Sequence, residues 1–238
     1  MTIQLIHGDC LDVDWPQVDA IITDVPYGVT ACKWDSIIPF EPMWAKIKGS
    51  LKPRGAFVTT ASQPFTSALV MSNPKWFKYE WIWNKKRAGN FLTAKLMPMI
   101  SHENILVFSG ATVANCAPNN MLYFPQMEKR DKPITYKKGR NSELYARKNT
   151  VTIKYTSDKK YPKSIVTFDK ERSKHPTSKP VALYEYLIKT YTNKGDTVLD
   201  FCAGSGTTLQ ACINTERNGI GIEKDEKYYN IAKARLGL

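Results

Sequence analysis

The chain has 238 residues, and its 34 lysines and arginines against 22 aspartates and glutamates give a formal net charge of +12. Its hydrophobic fraction of 42% is ordinary for a soluble globular protein with one large domain, or with one domain and an insert. No apolar run reaches the ~18 residues of a membrane-spanning helix, and the first ten residues show no secretion signal, so we expect a cytoplasmic protein with no membrane partner.

The cysteines argue against a disulfide framework and against a metal site. They are five, an odd number, and no two are spaced as Cys-x-x-Cys. We therefore expect no bound metal and free thiols in a reducing compartment. The five are Cys10, Cys32, Cys116, Cys202 and Cys212.

The N-terminal part of the chain alternates between predicted strands and helices. A helix is favoured where Phe40, Met43, Trp44 and Ile47 fall on one face. The predicted elements, in chain order, are strands at Ile3–Ile6 and Val18–Asp24, a helix at Phe40–Leu51, a strand at Ala56–Ala61, a helix at Pro64–Met71, and strands over FKYEWIWN and ENILVFS.

The periodicity is lost from about Gly110 to Lys174. Between Met127 and Pro180 sixteen Lys/Arg stand against six Asp/Glu, so most of the excess positive charge lies in under a quarter of the chain. A basic segment of this kind favours a polyanionic partner.

Periodic elements resume after this basic stretch. Because strands alternate with helices on both sides of it, we predict a three-layer α/β domain with a mostly parallel sheet. The elements are a helix at Pro180–Thr192, a strand at Asp196–Phe201, a helix entered through GSGTTLQACINTE, a strand at Asn218–Glu223 and a closing helix over EKYYNIAKARL.

Two strand ends carry groups suited to chemistry. In VLDFCAGSGTT, Gly204 and Gly206 permit a tight turn whose N–H groups face a ligand, and Glu223 ends the next strand, where it is placed to bind ribose hydroxyls. The third glycine of a dehydrogenase fingerprint is missing, which disfavours a nicotinamide oxidoreductase. The lysine of a P-loop is also missing, which argues against a P-loop phosphate site. A tight turn with no ligand stays open if this motif stands alone.

The second strand end is TDVPYG, which places an acid, a stiff proline and an aromatic ring after a buried strand. If the two strands are neighbours in a parallel sheet, both motifs open into one crevice. The alternative is that Asp24 caps a turn and Tyr27 covers the surface.

Taken together, these segments resemble the exocyclic-amino DNA methyltransferases of the beta class. Asp24-Val25-Pro26-Tyr27 is similar to their (D/N/S)PPY catalytic motif, and DFCAGSGTT is similar to their S-adenosylmethionine loop. HPTSKP, at His175–Pro180, resembles the segment that lines the methionine end of the cofactor, and Gly8-Asp9 resembles the segment at its adenine.

The resemblance implies a circularly permuted, Rossmann-like fold of seven strands with one antiparallel strand, formed by a hairpin of FKYEWIWN with ENILVFS. It divides the chain into a catalytic half at 1–110, a basic target-recognition insert at 111–174 and a cofactor-binding half at 175–238. S-Adenosylmethionine is the implied cofactor. Its implied contacts are Asp9, Lys179, Asp200, Phe201, Gly204, Gly206, Thr207 and Glu223.

The chemistry explains the residue types in the catalytic turn. An exocyclic amine is a poor nucleophile because its lone pair is conjugated into the ring, and two acceptors, the Asp24 carboxylate and the Val25 carbonyl, would oppose that conjugation. The target base must be flipped out of the duplex, so Tyr27 would stack on it while Pro26 fixes the backbone. Val25 stands where the family usually has a first proline, and we expect a functional but slower enzyme.

DNA contacts are predicted in two places. In the loop Asn84–Pro98, Lys85, Lys86 and Arg87 suit phosphates, and Phe91 either wedges where the base leaves or packs in the core. In the insert, the predicted contacts are Lys137, Lys138 and Arg140, although for any single lysine there an exposed charge is favoured over a specific contact.

In the family that the chain resembles, an aspartate at the first motif position goes mostly with adenine N6 and a serine with cytosine N4. The resemblance therefore implies adenine N6, in double-stranded DNA, over cytosine N4. Two further hypotheses stay open: that the methyl acceptor is RNA or protein, and that the chain is a catalytically silent nucleic-acid-binding protein of the same fold. The family also implies a homodimer and a partner restriction nuclease.

Overall fold

A computed structural model describes residues 1–29, 32, 35–138, 153–169 and 179–238, without the side chains of residues 136–138 and 153–154. The chain forms two compact units. The larger combines Met1–Phe124 with Ser164–Leu238, and the smaller is Pro125–Lys163. The predicted insert, 111–174, is wider than this smaller unit, and its role in target recognition stays a prediction.

The larger unit is built on an eight-stranded sheet. Its order is β1-β10-β9-β2-β3-β5-β4-β8, and every neighbouring pair is parallel except the two pairs that involve β5. The strands are β1 (Ile3–His7), β2 (Val18–Thr23), β3 (Leu51–Ala61), β4 (Phe77–Asn84), β5 (His102–Phe108), β8 (Ile165–Thr167), β9 (Thr197–Asp200) and β10 (Asn218–Glu223).

This sheet confirms the predicted fold class. Seven of its strands form the mostly parallel sheet, and the one antiparallel strand, β5, pairs with β4 in the predicted hairpin. The eighth strand, β8, has three residues and continues the sheet beside β4. No periodicity announces β8 because a three-residue strand is too short to show one.

Helices cover both faces of the sheet, because successive strand residues point to opposite sides. Ile22 belongs to the cluster packed under α3 (Val181–Tyr191) and α4 (Thr207–Thr215). Ile21 belongs to the cluster packed under α1 (Phe40–Ser50) and α2 (Phe65–Ser72). A fifth helix, α5 (Glu226–Leu236), buries Ala232.

The smaller unit contains an antiparallel pair, β6 (Glu128–Lys138) with β7 (Ile153–Lys160). The sequence predicted no elements in this stretch. Strands are recognised in a sequence by apolar and polar residues that alternate. Lysines recur along both β6 and β7, so this alternation is missing and the strands were not predicted. The strand prediction at Ala56–Ala61 was also short, because β3 begins at Leu51 and includes Pro53 and Gly55.

No helix within the described part of the chain is long and apolar enough to cross a membrane.

Candidate active site

The two motif-bearing strand ends are neighbours in the sheet. β2 and β9 run parallel, with Ala20 opposite Val198 and Ile21 opposite Leu199. The turns that follow them therefore open at the same edge, where α/β proteins bind ligands. The Thr23 hydroxyl at the end of β2 donates to Asp200 Oδ1 at the end of β9, at 2.6 Å. The catalytic and glycine motifs, 177 residues apart in sequence at this contact, thus share one rim of the sheet.

Asp24, the first residue after β2, is surrounded by hydrogen-bond donors. Its Oδ1 accepts from the Tyr27 hydroxyl at 2.7 Å and from the Thr60 hydroxyl, which lies on β3. Its Oδ2 accepts from the Lys179 ammonium at 2.8 Å. The carboxylate keeps about a quarter of its side-chain surface exposed, at 26%. It is therefore held in one orientation and still open to a ligand.

Behind Asp24 the charges alternate along a chain of four side chains. The Lys179 ammonium also lies 3.2 Å from Glu103 Oε2, and the Lys85 ammonium lies 3.1 Å from Glu103 Oε1. Burial by itself would lower the pKa of Lys179, but the Asp24 and Glu103 carboxylates outweigh it and the pKa is raised. Lys179 therefore carries a positive charge. We call Asp24, Lys179, Glu103 and Lys85 the ion chain.

The turn after Asp24 is fixed by a second carboxylate. Asp35 is buried and accepts from the backbone N–H groups of Tyr27 and Gly28 with Oδ1 and of Val29 with Oδ2, at 2.8 to 3.0 Å. Val25, at 3% exposure, packs into the core beneath the turn. An acid that caps three successive N–H groups holds the turn rigid, as proline would at the valine position.

Tyr27 lies with its ring against Phe65, at 5.5 Å between ring centroids and nearly parallel. Burial, followed by the Asp24 and Glu103 charges, raises the pKa of Tyr27 well above its usual value. Its hydroxyl therefore keeps its proton and donates to Asp24. One face of the ring is covered by Phe65, and the Lys179 ammonium lies over the ring, 5.4 Å from its centroid.

The glycine loop has the conformation that its sequence predicts. Gly204 and Gly206 both have positive φ, 52° and 78°. A Cβ on Gly206 would press against α5, 3.2 Å from Ala232 Cβ, whereas a Cβ on Gly204 would meet no described atom within 4 Å. Gly206 is thus required by packing, and Gly204 faces open space at the rim.

Three residues expected at the cofactor are turned into the protein. Asp200 is 3% exposed, and its oxygens accept from the hydroxyls of Thr23 and Thr208 and from the Cys202 N–H. Burial raises the pKa of Asp200 to about 6. Phe201 is buried against Trp15, and the Thr207 hydroxyl accepts from Arg235. These three side chains therefore shape the loop through contacts inside the protein, and their predicted place at the cofactor stays a prediction.

Glu223 and Asp9 are only partly buried. Glu223 follows its prediction in lying at the end of β10, where Oε2 accepts from the Gly204 N–H at 2.7 Å and Oε1 from the Asp225 N–H at 2.8 Å. Burial raises its pKa. Asp9 accepts from the Lys224 ammonium at 2.8 Å, and that hydrogen bond, with another from the Leu11 N–H, lowers its pKa.

The predicted DNA loop after β4 divides into a buried start and an exposed remainder. Lys85 is only 7% exposed and belongs to the ion chain, so the structure contradicts the exposure that a phosphate contact needs. Lys86 is exposed and pairs with Asp169 at 2.9 Å, and Arg87 is exposed. Phe91 is 73% exposed, which excludes the core alternative.

Part of the predicted site lies beyond what the structure describes. Lys137 and Lys138 belong to β6, but their side chains are outside the described residues, as is all of Arg140. In HPTSKP, Lys179 and Pro180 are described and the four residues before them are not. Among the described residues, no group of histidine, cysteine and acidic side chains could hold a metal ion.

The sequence did not reveal three side chains of the site: Thr60, Glu103 and Asp35. Thr60 and Glu103 lie within strands β3 and β5, where nothing distinguishes them from ordinary strand residues. Asp35 acts across a gap of eight residues from Tyr27. The one available signal was Glu103 next to an apolar run, ILVF, since an acid that begins a buried strand needs a partner.

Comparison with known proteins finds that the chain is similar to DNA methylases. A protein-family model described as DNA methylase matches residues 18–234. The type II methyltransferase M.HpaI of Haemophilus parainfluenzae is 48% identical over 68 residues, which cover 29% of this chain and 22% of that protein. The matched part thus spans about a fifth of that relative.

Solved structures match over the whole chain. The crystal structure of an M1.HpyAVI–SAM complex superposes with a TM-score of 0.63 at 26% identity, covering 98% of this chain and 99% of the other. PvuII DNA methyltransferase (cytosine-N4-specific) gives a TM-score of 0.67 at 15% identity, over 99% of this chain and 86% of the other. The second likeness is one of fold alone.

Proposed function

Because the chain belongs to the N6/N4 DNA methylase family, we propose that it transfers a methyl group from S-adenosylmethionine to the N6 amine of adenine in double-stranded DNA. The observation that carries this proposal is the juxtaposition of two motifs at neighbouring strand ends. Asp24 follows β2, the glycine loop follows β9, and the Thr23–Asp200 hydrogen bond ties the two turns together.

The residues at the rim fit S-adenosylmethionine. Gly204 leaves open space where a side chain would otherwise project. Glu223, anchored by two backbone N–H groups, is an acceptor suited to ribose hydroxyls, and Asp9 is an acceptor just after the adjacent strand β1. When bound, S-adenosylmethionine supplies an electrophilic methyl group on a sulfonium. Asp9, Gly204 and Glu223 would hold its nucleoside portion.

Asp24 activates the target amine. Its Oδ2 and the Val25 carbonyl accept the two amine N–H bonds, which draws the nitrogen toward tetrahedral geometry and frees its lone pair. Tyr27 and Thr60 hold Oδ1, so the carboxylate is already oriented before the amine arrives. Fixing the reacting groups in place supplies much of the rate of a transfer reaction.

The flipped base is held by Tyr27. The ring of Tyr27 rests on Phe65, and we expect its other face to stack on a planar base. Asp35 holds the backbone of the same turn through three N–H groups, so ring and carboxylate keep a fixed separation. The acid and the ring thus form a clamp for a planar amine.

DNA is held by positive charge outside the catalytic turn. Residues 84–101 include Lys86, Arg87 and Lys95 and no acidic residue, and Phe91 stands exposed among them. Such a surface suits phosphates, with an apolar wedge where the base leaves. The smaller unit carries twelve Lys/Arg against four Asp/Glu and supplies sequence-independent attraction.

Adenine is favoured over cytosine because aspartate stands at the first motif position. Both bases present an exocyclic amine to the same clamp, and cytosine N4 is the second candidate. A homodimer and a partner nuclease remain predictions from the family resemblance.

The test is methyl transfer from labelled S-adenosylmethionine to duplex DNA, followed by digestion to nucleosides. We expect N6-methyl-2′-deoxyadenosine as the labelled product, with duplex DNA preferred over RNA. Labelled N4-methyl-2′-deoxycytidine would show that the target base is cytosine and not adenine. No incorporation at saturating cofactor would favour a catalytically silent DNA-binding protein.

Asp24→Asn supplies the matched variant, since it keeps the shape and removes the charge. We expect kcat to fall by about 100- to 1000-fold, the usual effect of losing a group that stabilises developing charge. Asp14→Asn, an exposed position, is the control. An Asp24→Asn enzyme as fast as wild type would remove Asp24 from the reaction.

A further inference from the structure

The ion chain poses a problem for the proposed chemistry, on which this inference rests. Asp24 Oδ1 already accepts from two hydroxyls, those of Tyr27 and Thr60. A carboxylate oxygen has two lone-pair sites, so the amine has to bond to Oδ2. Oδ2 is the atom that accepts from Lys179 at 2.8 Å.

The position of the Lys179 ammonium opposes methyl transfer. A cation 2.8 Å from Oδ2 withdraws the negative charge that makes Asp24 a good acceptor. The amine becomes positive as it gains a methyl group, and two like charges at one oxygen repel each other strongly in a partly dry site. Asp24 therefore works best when the ammonium has moved away.

Glu103 offers the place to which the ammonium moves. Its Oε2 is buried and lies 3.2 Å from Lys179 Nζ, and among the described residues no donor makes a well-directed hydrogen bond to it. The ammonium thus already lies between the two carboxylates, and turning it toward Oε2 would replace this ion pair by a directed, charge-assisted hydrogen bond.

Lys85 keeps that place open. It binds the other oxygen of Glu103, Oε1, at 3.1 Å, and so fixes the carboxylate with Oε2 directed at Lys179. The ion chain contains two acids and two lysines, so the exchange leaves its total charge unchanged. Lys179 and Glu103 are both nearly buried, at 8% and 13% side-chain exposure, so water competes little for the ammonium.

We propose that Glu103 is a positioning residue for methyl transfer: it takes over the hydrogen bond of Lys179 when the target amine arrives, and so releases Asp24 Oδ2 to bind that amine. Glu103 acts through Lys179 and does not touch the base. Lys179 thus occupies Asp24 Oδ2 in the absence of substrate and leaves it when the target amine binds.

The first test is Glu103→Gln, which keeps the shape and removes the charge that attracts Lys179. With the ammonium left on Asp24, we expect kcat to fall by about 10- to 100-fold, as for the loss of one charged hydrogen bond. The KM values for cofactor and DNA should stay within about threefold, because neither ligand touches Glu103. Glu80→Gln, an exposed acid on β4, is the matched control and should match wild type.

The decisive test is the double variant Glu103→Gln with Lys179→Met. Removing the ammonium as well frees Asp24, so kcat should recover by about tenfold over Glu103→Gln alone. A purely structural ion chain predicts the reverse, since the second substitution would add its damage to that of the first. A double variant no faster than Glu103→Gln, or a Glu103→Gln enzyme with wild-type kcat, overturns the proposal.

Glu103→Asp keeps all four charges and serves if Glu103→Gln does not fold. Its shorter side chain draws the carboxylate away from Lys179, and we expect kcat to fall about threefold or more with unchanged KM values. An unchanged kcat overturns the proposal here too. The wild-type enzyme is measured in the same assay. If the proposed function is wrong, wild type and all variants show no methyl transfer to DNA, whereas a failure of the Glu103 proposal leaves wild-type transfer intact.

Discussion

At the scale of single residues, the site depends on which carboxylates are exposed and which are enclosed. Asp24 sits at the rim, anchored by a lysine and two hydroxyls. Asp200 lies one strand away in the interior, bonded by two threonine hydroxyls and one N–H. Two acids that end adjacent strands thus have different roles, because one is open to a ligand and the other is enclosed.

Asp200 gives the protein a definite pH dependence of stability. Burial raises its pKa from 3.8 to about 6, so between these values the folded chain holds a proton that the unfolded chain has released. The stability that this group contributes is full below about pH 4 and is lost as the pH rises through about 6, roughly 3 kcal/mol in all.

Asp200→Asn should remove that dependence. We expect the unfolding free energy of wild type, relative to the variant, to decline as the pH rises from 4 to 7 in urea denaturation. Asp14→Asn, at an exposed position, is the control for removal of one charge. A wild-type-to-variant difference that stays constant over this range would contradict the assignment.

At the scale of elements, the two glycines of the turn between β9 and α4 are expected to serve different purposes, one in packing and the other in cofactor binding. Gly204 and Gly206 share a left-handed conformation, but only Gly206 abuts another element, α5. Two alanine substitutions with similar backbone strain therefore test different properties.

Gly206→Ala should lower the free energy of unfolding by more than the ~1–2 kcal/mol of a left-handed alanine, because the new methyl group meets Ala232 at 3.2 Å. Gly204→Ala carries only the backbone strain but fills the open space at the rim. We expect it to weaken S-adenosylmethionine binding by about 10- to 200-fold, as one misplaced methyl does in a fitted pocket. Denaturation and calorimetric titration measure the two effects, and equal effects of both variants on binding would refute the separation.

The loop after β4 is the second element with a predicted role. It exposes Phe91, Leu92, Leu96, Met97, Met99 and Ile100. Exposed apolar side chains grouped in this way indicate a binding surface. Here the basic neighbours Lys86, Arg87 and Lys95 favour DNA as the partner.

Phe91→Ala should leave thermal stability within about 0.5 kcal/mol, since the ring is 73% exposed. It should reduce base opening, measured by the fluorescence of 2-aminopurine at the target position, and lower kcat/KM on duplex DNA. Met71→Ala on α2, with the same 73% exposure, is the control. Opening that is equal in the two variants would exclude a wedge at Phe91.

At the scale of the whole molecule, we expect the net charge of +12 to favour encounter with DNA. Excess positive charge attracts the duplex whatever its sequence, and each phosphate neutralised releases counterions. The excess is concentrated between Met127 and Pro180, while Asp24 and Glu103 are balanced locally by Lys179 and Lys85. Long-range attraction and local chemistry thus use largely separate sets of charges.

Binding to duplex DNA should weaken linearly in log Kd against log salt. Lys137→Ala with Lys138→Ala should reduce that slope by about 0.9 for each phosphate that the variant no longer neutralises. Lys75→Ala, an exposed lysine outside the basic stretch, provides the comparison. A slope unchanged by the double variant would show that neither lysine neutralises a DNA phosphate.

The sequence by itself determined the α/β class and the two motifs at strand ends, whereas the hairpin of β4 with β5 was predicted from the family resemblance. These are local patterns: alternation of apolar residues, glycines at a tight turn, and an acid followed by proline and tyrosine. Such patterns can be recognised in the sequence because each one depends only on residues a few positions apart.

Only the tertiary structure decided which of the predicted site residues are buried, which are paired and which are exposed. It turned Asp200, Phe201 and Thr207 inward, buried Lys85 beside Glu103, and placed Phe91 on the surface. Burial and pairing depend on side chains that come from elements distant in sequence, such as Asp24 with Lys179, 155 residues apart. Local sequence patterns do not predict such contacts, because the two side chains are brought together only when the sheet and its helices pack.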